Sequence, residues 1–475
     1  MTARRLRAGL CGIGLDAYWP QFPGLREQLE GHLQQVRERL EGFGSHVESL
    51  GLVDTPQRSR EAGHACRRAD IDLLFLYVTT YALSSTVLPL LQRAQVPVIV
   101  LNLQPGAAID YEAFNRLPDR TAMTGAWLAW CSACPMPEIA NVLRRARIAF
   151  QQVTGSLTDD ASWREIEEWV RGAQVKVALE ETRLGLLGHY YGGMLDVATD
   201  ITQVAITFGC HIEMLEVDEL SAARDECTAD QIAQRLHLFQ DHFDIQADCE
   251  HSELEQAART SIALDRLVEH HDLQSLAYYY KGSGVAENED TMSSIILGTS
   301  LLTARHVPVA GEYEVRNAIA MKIMDLFDAG GSFTEYYALD LTDDIVLMGH
   351  DGPGHIAIAQ GRTRVRPLDV YHGKVGRGLS VEMSVRYGPV TLLSVVDDRE
   401  HGFRLLVAEG VSEAGPTLAI GNTNSRYRFP IGARRFVEQW SEQGPAHHCA
   451  VGVGHTAGLI AKLARMLGIP FVQIC

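Results

Sequence analysis

In the first third of the chain, the pattern of apolar and polar positions predicts strands and helices in turn. Two short runs, IDLLFLYV and VPVIVLNL, are wholly apolar, as parallel strands covered on both faces are. Between Leu25 and Leu40, apolar residues instead recur at helical spacing. Strand, helix and strand in succession indicate βαβ units and an open, doubly wound sheet. We therefore predict a Rossmann-like α/β domain over residues 1–175.

The same order of elements returns in the middle of the chain. The stretch TRLGLLGHYYGGMLDVATDITQVAITFGCHIEMLEV predicts a strand, a glycine-containing turn, a helix and a second strand. This repetition predicts a second Rossmann-like α/β domain, which we assign to residues 176–327.

The pattern changes over residues 328–475. Five apolar segments, from SFTEYYALDLT to FRLLVAEGVS, are separated by short polar turns, and we expect no helix between them. A helix, TAGLIAKLARMLG, and a strand, IPFVQIC, close the chain. The spacing predicts an antiparallel β-barrel. The fold class is therefore α/β: two doubly wound Rossmann-like domains followed by a C-terminal domain with an antiparallel β-barrel.

Composition narrows the choice of partners and compartment. The 475 residues include 42 basic and 60 acidic ones, a net charge of −18, which argues against nucleic acid as a partner. No apolar run is long enough to span a membrane, and we interpret the apolar start RAGLCGIGL as the first strand, not as a signal peptide. The nine cysteines are scattered, which favours reduced thiols and a cytoplasmic location.

Candidate chemistry lies in the last third of the chain, where acids and histidines occur at predicted element boundaries. Glu312 lies where a loop enters a helix, and Glu335 follows a Gly-Gly turn. His350 ends a strand, and His447 and His448 precede another. Two carboxylates and two imidazoles suit an octahedral Mn²⁺ site, or one for the similar Co²⁺ and Mg²⁺. Each residue alone has an ordinary explanation, such as a helix cap or a satisfied polar group, so only their convergence would indicate a metal.

The segments that carry these residues resemble motifs of the L-arabinose isomerase family, within the wider L-fucose/L-arabinose isomerase group. GEYEVRNA resembles that family's segment opening with Gly-Glu, and GGSFTEYY resembles its Gly-Thr-Ser-Phe-Met-Glu-Asp-Tyr. DDIVLMGHD resembles its strand ending in Gly-(Ala/Ser)-His, and GPAHHCAV resembles its Gly-Ala-His-His-Thr-Val. The motifs follow the family's order at similar spacing, and the resemblance covers nearly the whole chain.

The resemblance implies a function and a set of site residues. Glu312, Glu335, His350 and His448 would be manganese ligands, with His448 chosen over His447 because the second histidine of the pair is the family's ligand. The reaction would be aldose–ketose isomerisation, with Glu312 and Glu335 transferring protons next to the sugar carbonyl. The family forms hexamers built from trimers, so the resemblance also implies a homo-oligomer.

Two departures from the family change the expected substrate. The family's Gly-Glu-Gly-Asp-Trp-Lys is replaced by a segment from Gly311 to Arg316, and its Gln-Ser-Ala-His-Gly-Asp-Arg-Glu is replaced by AWCSACPMPEIA, which lacks the histidine. In the family that second segment touches the sugar of a neighbouring subunit. We therefore expect the isomerase chemistry to be kept and the sugar to be L-arabinose or a related pentose, hexose or modified sugar.

Further residues are candidates for sugar contact. The loop after the first strand carries Trp19 and Gln21, and the glycine-containing turn of the second α/β domain carries Met194. The aromatic segment LAYYYKGSG supplies Tyr280 and Lys281, since aromatic rings at a strand end can stack on a sugar. The glycines of GIGLDA also permit a dinucleotide-binding interpretation, but the expected acidic residue after the second strand is not evident.

Three weaker signals have ordinary interpretations. Cys131 and Cys134 form a single CxxC pair that could hold zinc or act in redox chemistry, and we favour two small apolar residues. His355 and His455 are alternative ligands, which we interpret as groups outside the metal's inner ligand set.

Two other functions stay open. A sugar-binding protein could keep the fold without the reaction, because two α/β domains can form a cleft for a small ligand. An epimerase or a lyase could use the same metal centre, since both reactions also abstract a proton next to a carbonyl.

Overall fold

A computed structural model describes residues 4–281, 284–368 and 377–475 of the chain. The chain divides into an N-terminal unit, Met1–Val177, and a C-terminal unit, Ala178–Cys475. The three-domain division, with a second boundary near residue 328, stays a prediction.

The N-terminal unit contains one parallel sheet. Its strands are β1 (Arg7–Ile13), β2 (His46–Val53), β3 (Leu73–Val78), β4 (Val98–Gln104) and β5 (Gln151–Ser156). They lie in the order β2-β1-β3-β4-β5, a doubly wound arrangement. The helices are α1 (Leu25–Gly42), α2 (Pro56–Arg68), α3 (Ser84–Ala94), α4 (Tyr111–Asn115), α5 (Arg120–Leu128), α6 (Met136–Arg145) and α7 (Asp160–Glu180), the last of which runs past the unit boundary.

The hydrophobic pattern correctly located β1, β3, β4 and helix α1, whereas strands β2 and β5 were not predicted. All of β3 is buried, as its unbroken apolar sequence requires of a strand covered on both faces. Helix α1 buries the residues whose helical spacing predicted it, namely Leu25, Leu29, Leu33, Val36 and Leu40.

A second parallel sheet begins the C-terminal unit. Its strands β6 (Arg183–Leu187), β7 (His211–Leu215), β9 (Ser275–Tyr278) and β10 (Val309–Ala310) lie in the order β10-β9-β6-β7. Short strand β8 (Phe243–Ile245) belongs to another sheet. The helices are α8 (Ile201–Phe208), α9 (Val217–Asp225), α10 (Ala229–His242), α11 (His251–His270), α12 (Ala286–Ser293), α13 (Ile296–Ala304) and α14 (Val315–Leu326).

The C-terminal unit ends in a closed barrel of six antiparallel strands. These are β11 (Gly330–Asp340), β12 (Ile345–His350), β15 (Gly388–Asp398), β16 (Gly402–Glu413), β17 (Thr423–Arg428) and β18 (His448–Val453). They run in the order β15-β18-β11-β12-β17-β16, and pairing of β15 with β16 closes the barrel. The remaining elements are β13 (Thr363–Pro367), β14 (Leu379–Glu382), α15 (Ala433–Glu442), α16 (Ala457–Leu467) and β19 (Phe471–Gln473). Parallel sheets with a C-terminal barrel confirm the predicted fold class.

Three local features differ from the sequence analysis. Helix α15, which follows the five predicted strand segments, was not predicted; it packs one strongly apolar side against the barrel through Phe436 and Trp440. Strand β17 was not predicted because its sequence, TNSRYR, is polar. Glu335 lies on a strand, as predicted, but in its interior and not at its boundary, because the Gly-Gly pair begins β11 instead of preceding it.

The cysteine prediction also needs correction. Cys131 and Cys134, expected as reduced small apolar residues, form a disulfide at the start of α6. Their Cα atoms are 5.2 Å apart, within the range a disulfide spans. Among the described residues, no helix combines the length and the apolar character needed to cross a membrane.

Candidate metal centre

Glu312 lies in the tight loop between β10 and α14. Glu312 and Tyr313 have positive φ angles of 56° and 60°, a conformation that costs a residue other than glycine about 1–3 kcal/mol. The backbone N–H of Tyr313 donates to the carbonyl of Tyr278 at 2.8 Å, and its ring packs edge-on against Tyr190. The surrounding structure thus holds a strained backbone, as is common at functional sites.

Barrel pairing places three more predicted residues next to each other. Glu335 on β11 lies directly opposite His448 on β18, and on its other side it lies opposite Gly349 of β12. The next residue of β12 is His350. The ring of Phe333 packs between the two histidines, with ring centres 4.3 Å from that of His350 and 4.4 Å from that of His448. The register of three strands and one aromatic ring therefore fix these side chains.

The four residues predicted as metal ligands converge. Oε1 of Glu312 lies 3.8 Å from Nε2 of His350, and its Oε2 lies 3.6 Å from Nε2 of His448. Donor atoms of Glu335, His350 and His448 all lie within 4.8 Å of one another. Two carboxylates and two imidazoles form a mixed oxygen and nitrogen donor set of the kind that binds Mn²⁺ and related ions.

The burial of His448 and the lowered pKa of its imidazole suit a metal ligand. The residue is fully buried, and burial lowers the pKa of its imidazole well below the usual value, with His350 and His447 lowering it further. Its Nε2 has no hydrogen-bond partner among the residues the structure describes. A buried, neutral ring with an unsatisfied nitrogen facing Glu312 is suited to binding a cation.

His447 also faces this cluster, although the resemblance favoured its neighbour. Its Nε2 lies 3.8 Å from Oε2 of Glu312 and 3.9 Å from Oε2 of Glu335. Its Nδ1 lies 2.6 Å from Oδ2 of Asp196, which precedes α8. Asp196 therefore orients His447 toward the cluster; the sequence analysis considered His447 as the alternative to His448 but did not identify Asp196.

Glu314 is a second acidic residue that the sequence did not reveal. It is fully buried, and its Oε2 lies 3.4 Å from Nδ1 of His448, on the side of the ring away from Glu312. Burial raises the pKa of Glu314 to about 8, while Arg316 acts in the opposite direction. Arg316 also contacts Asp397 and the backbone carbonyl of Asp196. Carboxylates behind a ligating histidine orient its ring, and Glu314 is placed to do so.

A cavity of about 290 Å³ adjoins the cluster. Glu335 and His447 line it together with Asp196, Tyr336 and Trp440. It therefore presents carboxylates, an imidazole and aromatic rings to a small ligand, a mixture typical of sites that bind polar molecules.

The residues predicted to contact sugar are divided between the two units. Trp19 and Gln21 lie in the N-terminal unit, where the Trp19 indole N–H donates to Asp54 at 2.8 Å and Gln21 is exposed. In the C-terminal unit, Met194 is half-buried, Lys281 is exposed, and Tyr280 is buried in an aromatic group with Tyr191 and Tyr279. Their contact with sugar stays a prediction.

The alternative motifs lie elsewhere. His355 is buried against the start of β11, and His455 lies 3.1 Å from the carbonyl of Gly410. Neither belongs to a cluster of potential ligands among the described residues. Helix α1 begins at Leu25 and not at the glycines of GIGLDA, which does not match the tight strand-to-helix turn of dinucleotide sites.

Comparison with known proteins agrees with the geometry. Residues 330–470 match the model of the L-arabinose isomerase C-terminal domain. The chain is 23% identical to an L-arabinose isomerase of Saccharophagus degradans, over 95% of this chain and 91% of the relative. It is 24% identical to one of Nocardioides sp., over 71% and 68%, and 22% identical to one of Herpetosiphon aurantiacus, over 71% and 69%.

The matched segment contains Glu335, His350 and His448, and the full-length match extends over the strand pattern of both units. The chain is therefore similar to L-arabinose isomerases over 71% to 95% of its length, and its residues 330–470 match the C-terminal domain of that family. These similarities indicate an aldose–ketose isomerase.

Proposed function

We propose that the chain is a metal-dependent aldose–ketose isomerase whose metal ligands are Glu312, Glu335, His350 and His448. The observation that supports this most directly is the convergence of these four side chains beside a cavity. Similarity to the isomerase family supports the reaction class, and the buried, unsatisfied Nε2 of His448 supports the metal.

The proposed metal is Mn²⁺, with Co²⁺ and Mg²⁺ as chemically similar alternatives. A bound divalent cation would polarise the carbonyl and hydroxyl oxygens of the sugar. It would also offset the repulsion between the Glu312 and Glu335 carboxylates.

The two glutamates are proposed to transfer the protons. Removal of the proton on C2 and protonation of O1 convert the aldose to an enediol, and loss of the O2 proton with protonation of C1 then gives the ketose. A carboxylate must take the C2 proton while a second group exchanges protons with oxygen. Glu335 lines the cavity, and the Nε2 atom of His447 lies 3.9 Å from Glu335 and 3.8 Å from Glu312, so the two carboxylates are proposed to act on adjacent atoms of one sugar.

The substrate is proposed to be an aldose related to L-arabinose. The metal-binding segments resemble those of the family, whereas the segment AWCSACPMPEIA, residues 129–140, carries a disulfide and lacks the family's sugar-contacting histidine. A change in the residues that contact the sugar, with the metal ligands kept, alters which sugar fits without altering the reaction.

A panel of sugars tests this function. The purified chain, stripped with a chelator, is incubated with pentoses, hexoses and modified aldoses, with and without Mn²⁺, and ketose is measured. We expect ketose from one sugar or a few, only with metal, and faster turnover of another sugar than of L-arabinose. No ketose from any aldose would overturn the proposal, and L-arabinose as the best substrate would overturn the substrate assignment.

The remaining expectations concern assembly and location. We propose a homo-oligomer, as in the family, and a cytoplasmic enzyme. Size-exclusion chromatography with light scattering measures the first, and a monomer would contradict it.

A further inference from the structure

Histidines and glutamates also cluster on the surface of the C-terminal unit, in a group that shares no residue with the candidate metal centre. His270 is the last residue of α11, and His271 follows it. Glu219 lies in the first turn of α9. One donor atom from each of these three residues lies within 4.8 Å of the other two. We propose that Glu219, His270 and His271 form a second metal site, which binds Zn²⁺.

The three donor atoms are near one another but not at the spacing of an occupied zinc site. Nε2 of His271 lies 2.6 Å from Oε1 of Glu219, and the ring centres of His270 and His271 are 4.7 Å apart. Ligands about 2.0–2.1 Å from a tetrahedral Zn²⁺ lie roughly 3.4 Å from one another. Zinc binding would require the hydrogen-bonded Glu219–His271 pair to open and the His270 ring, which is exposed, to turn toward it.

Glu213 on β7 supplies a second, independent observation. Its Oε1 lies 3.9 Å from Nδ1 of His271, the ring nitrogen opposite Glu219. Its other oxygen lies 3.2 Å from Nε2 of His211 and 3.7 Å from the guanidinium of Arg183, which hold the carboxylate in place. A histidine that binds metal through one nitrogen commonly donates its other N–H to a carboxylate, and Glu213 is positioned to accept it.

The donor set indicates which ion binds. Two imidazoles and one carboxylate, with a fourth position open to water, match zinc sites with three protein ligands. Mg²⁺ and Ca²⁺ prefer oxygen ligands, and imidazole sites bind Mn²⁺ more weakly than Zn²⁺. A bound ion would join the end of α11 to the start of α9. A simple hydrogen bond between His271 and Glu219 would form without His270 or Glu213. The presence of these two side chains beside it therefore favours a metal site.

Equilibrium dialysis of the tag-free protein against Zn²⁺ measures the number of ions per chain. Four proteins are compared: wild type, the double variant H270A/H271A, the catalytic-centre variant H350A/H448A, and H237A/H242A. The last removes two exposed histidines of α10 and is the matched control. We expect the stoichiometry to fall by one in H270A/H271A and to be unchanged in H237A/H242A.

The design separates this site from the proposed function. If the catalytic centre does not bind Zn²⁺, wild type and H350A/H448A bind the same number of ions, while H270A/H271A still loses one. We expect Glu213→Gln, which leaves the ligands in place, to weaken Zn²⁺ binding roughly 10- to 100-fold. Equal stoichiometry in wild type and H270A/H271A, with both folded by circular dichroism, would overturn the second site.

Discussion

Nδ1 of His447 lies 2.6 Å from Oδ2 of Asp196, and the backbone N–H of His447 donates to the same oxygen at 3.0 Å. Partial burial opposes ionisation of Asp196, but the hydrogen bonds from His447 lower its pKa below the ordinary value. Because a carboxylate only accepts, the proton of a neutral His447 ring lies on Nδ1 and leaves Nε2 as an acceptor directed at Glu312 and Glu335.

Loss of this contact is expected to slow the reaction more than it weakens metal binding. Asp196→Ala frees the ring of His447 to rotate, and misplacement of a group at a catalytic centre by about 1 Å can lower the rate roughly 100-fold. Asp196→Asn keeps an oxygen that can accept and should recover part of the rate. Steady-state kinetics give kcat and KM for each variant. Asp225→Ala, at an exposed aspartate on α9, is the control, and unchanged kcat in Asp196→Ala would contradict the orienting role.

Removal of a buried imidazole is expected to abolish tight Mn²⁺ binding. His350→Ala and His448→Ala each take one nitrogen donor from the cluster. Loss of a residue that only orients a metal ligand typically lowers metal affinity roughly 10- to 100-fold, so we expect loss of a ligand to lower Mn²⁺ affinity at least that far. Isothermal calorimetry of chelator-stripped protein measures this. His64→Ala, at an exposed histidine on α2, should bind Mn²⁺ as wild type does. Wild-type affinity in His448→Ala would rule it out as a ligand.

Acid is expected to destabilise the chain through His355. Burial lowers the pKa of His355 to about 4, despite the opposing charge of Asp325. Above pH 6.5 both folded and unfolded chains hold a neutral ring, but between about 6.5 and 4 only the unfolded chain takes up the proton. The free energy of unfolding therefore falls as pH falls through this window, by roughly 3 kcal/mol at most.

Urea unfolding at pH 7 and pH 4.5 tests this effect. His355→Gln lacks the titrating group and should lose less stability between the two pH values than wild type does. His64→Ala should behave as wild type, because that histidine is exposed. An equal loss in His355→Gln and wild type would show that other groups cause the acid sensitivity.

Arg316 is expected to be important for stability. It is buried, its Nε lies 3.7 Å from Oε1 of Glu314, and it contacts Asp397 and the carbonyl of Asp196. Arg316→Met removes the cation that lowers the pKa of Glu314 and leaves the carbonyl of Asp196 without this donor, and an unsatisfied buried group typically costs about 1–3 kcal/mol. Chemical denaturation measures the loss, and Arg465→Met, at an exposed arginine on α16, should change stability by less than about 0.5 kcal/mol. A similarly small change in Arg316→Met would contradict the ion-pair network.

The sequence predicted the helices and strands in which the buried positions are occupied by apolar residues. Helix α1 and strand β3 bury the residues their apolar patterns indicate. Strand β17 could not be found in this way, because its buried polar residues are satisfied by distant partners. Ser425 accepts from the backbone of Val385, and Arg426 pairs with Asp343. Such partners become neighbours only when the barrel closes, so a polar strand is indistinguishable from a loop in the sequence.

The candidate site likewise contains residues that the sequence revealed and residues that it did not. Glu312, Glu335, His350 and His448 were found because they lie in short motifs that resemble those of a family. Asp196 has no motif, and it meets His447 across 251 positions of the chain. Glu314 was visible only as an ordinary acid near a helix start, and its burial behind His448 is a property of the packing.

The most direct test of the metal-dependent isomerase follows metal and reaction in one sample. Mn²⁺ is added stepwise to the chelator-stripped chain with its best aldose, and bound Mn²⁺ (by electron paramagnetic resonance) and ketose are measured at each step. We predict that the rate rises in proportion to Mn²⁺ bound at the Glu312, Glu335, His350 and His448 cluster and that H350A/H448A shows neither signal. Ketose formation without bound metal, or at full rate in H350A/H448A, would contradict the assignment.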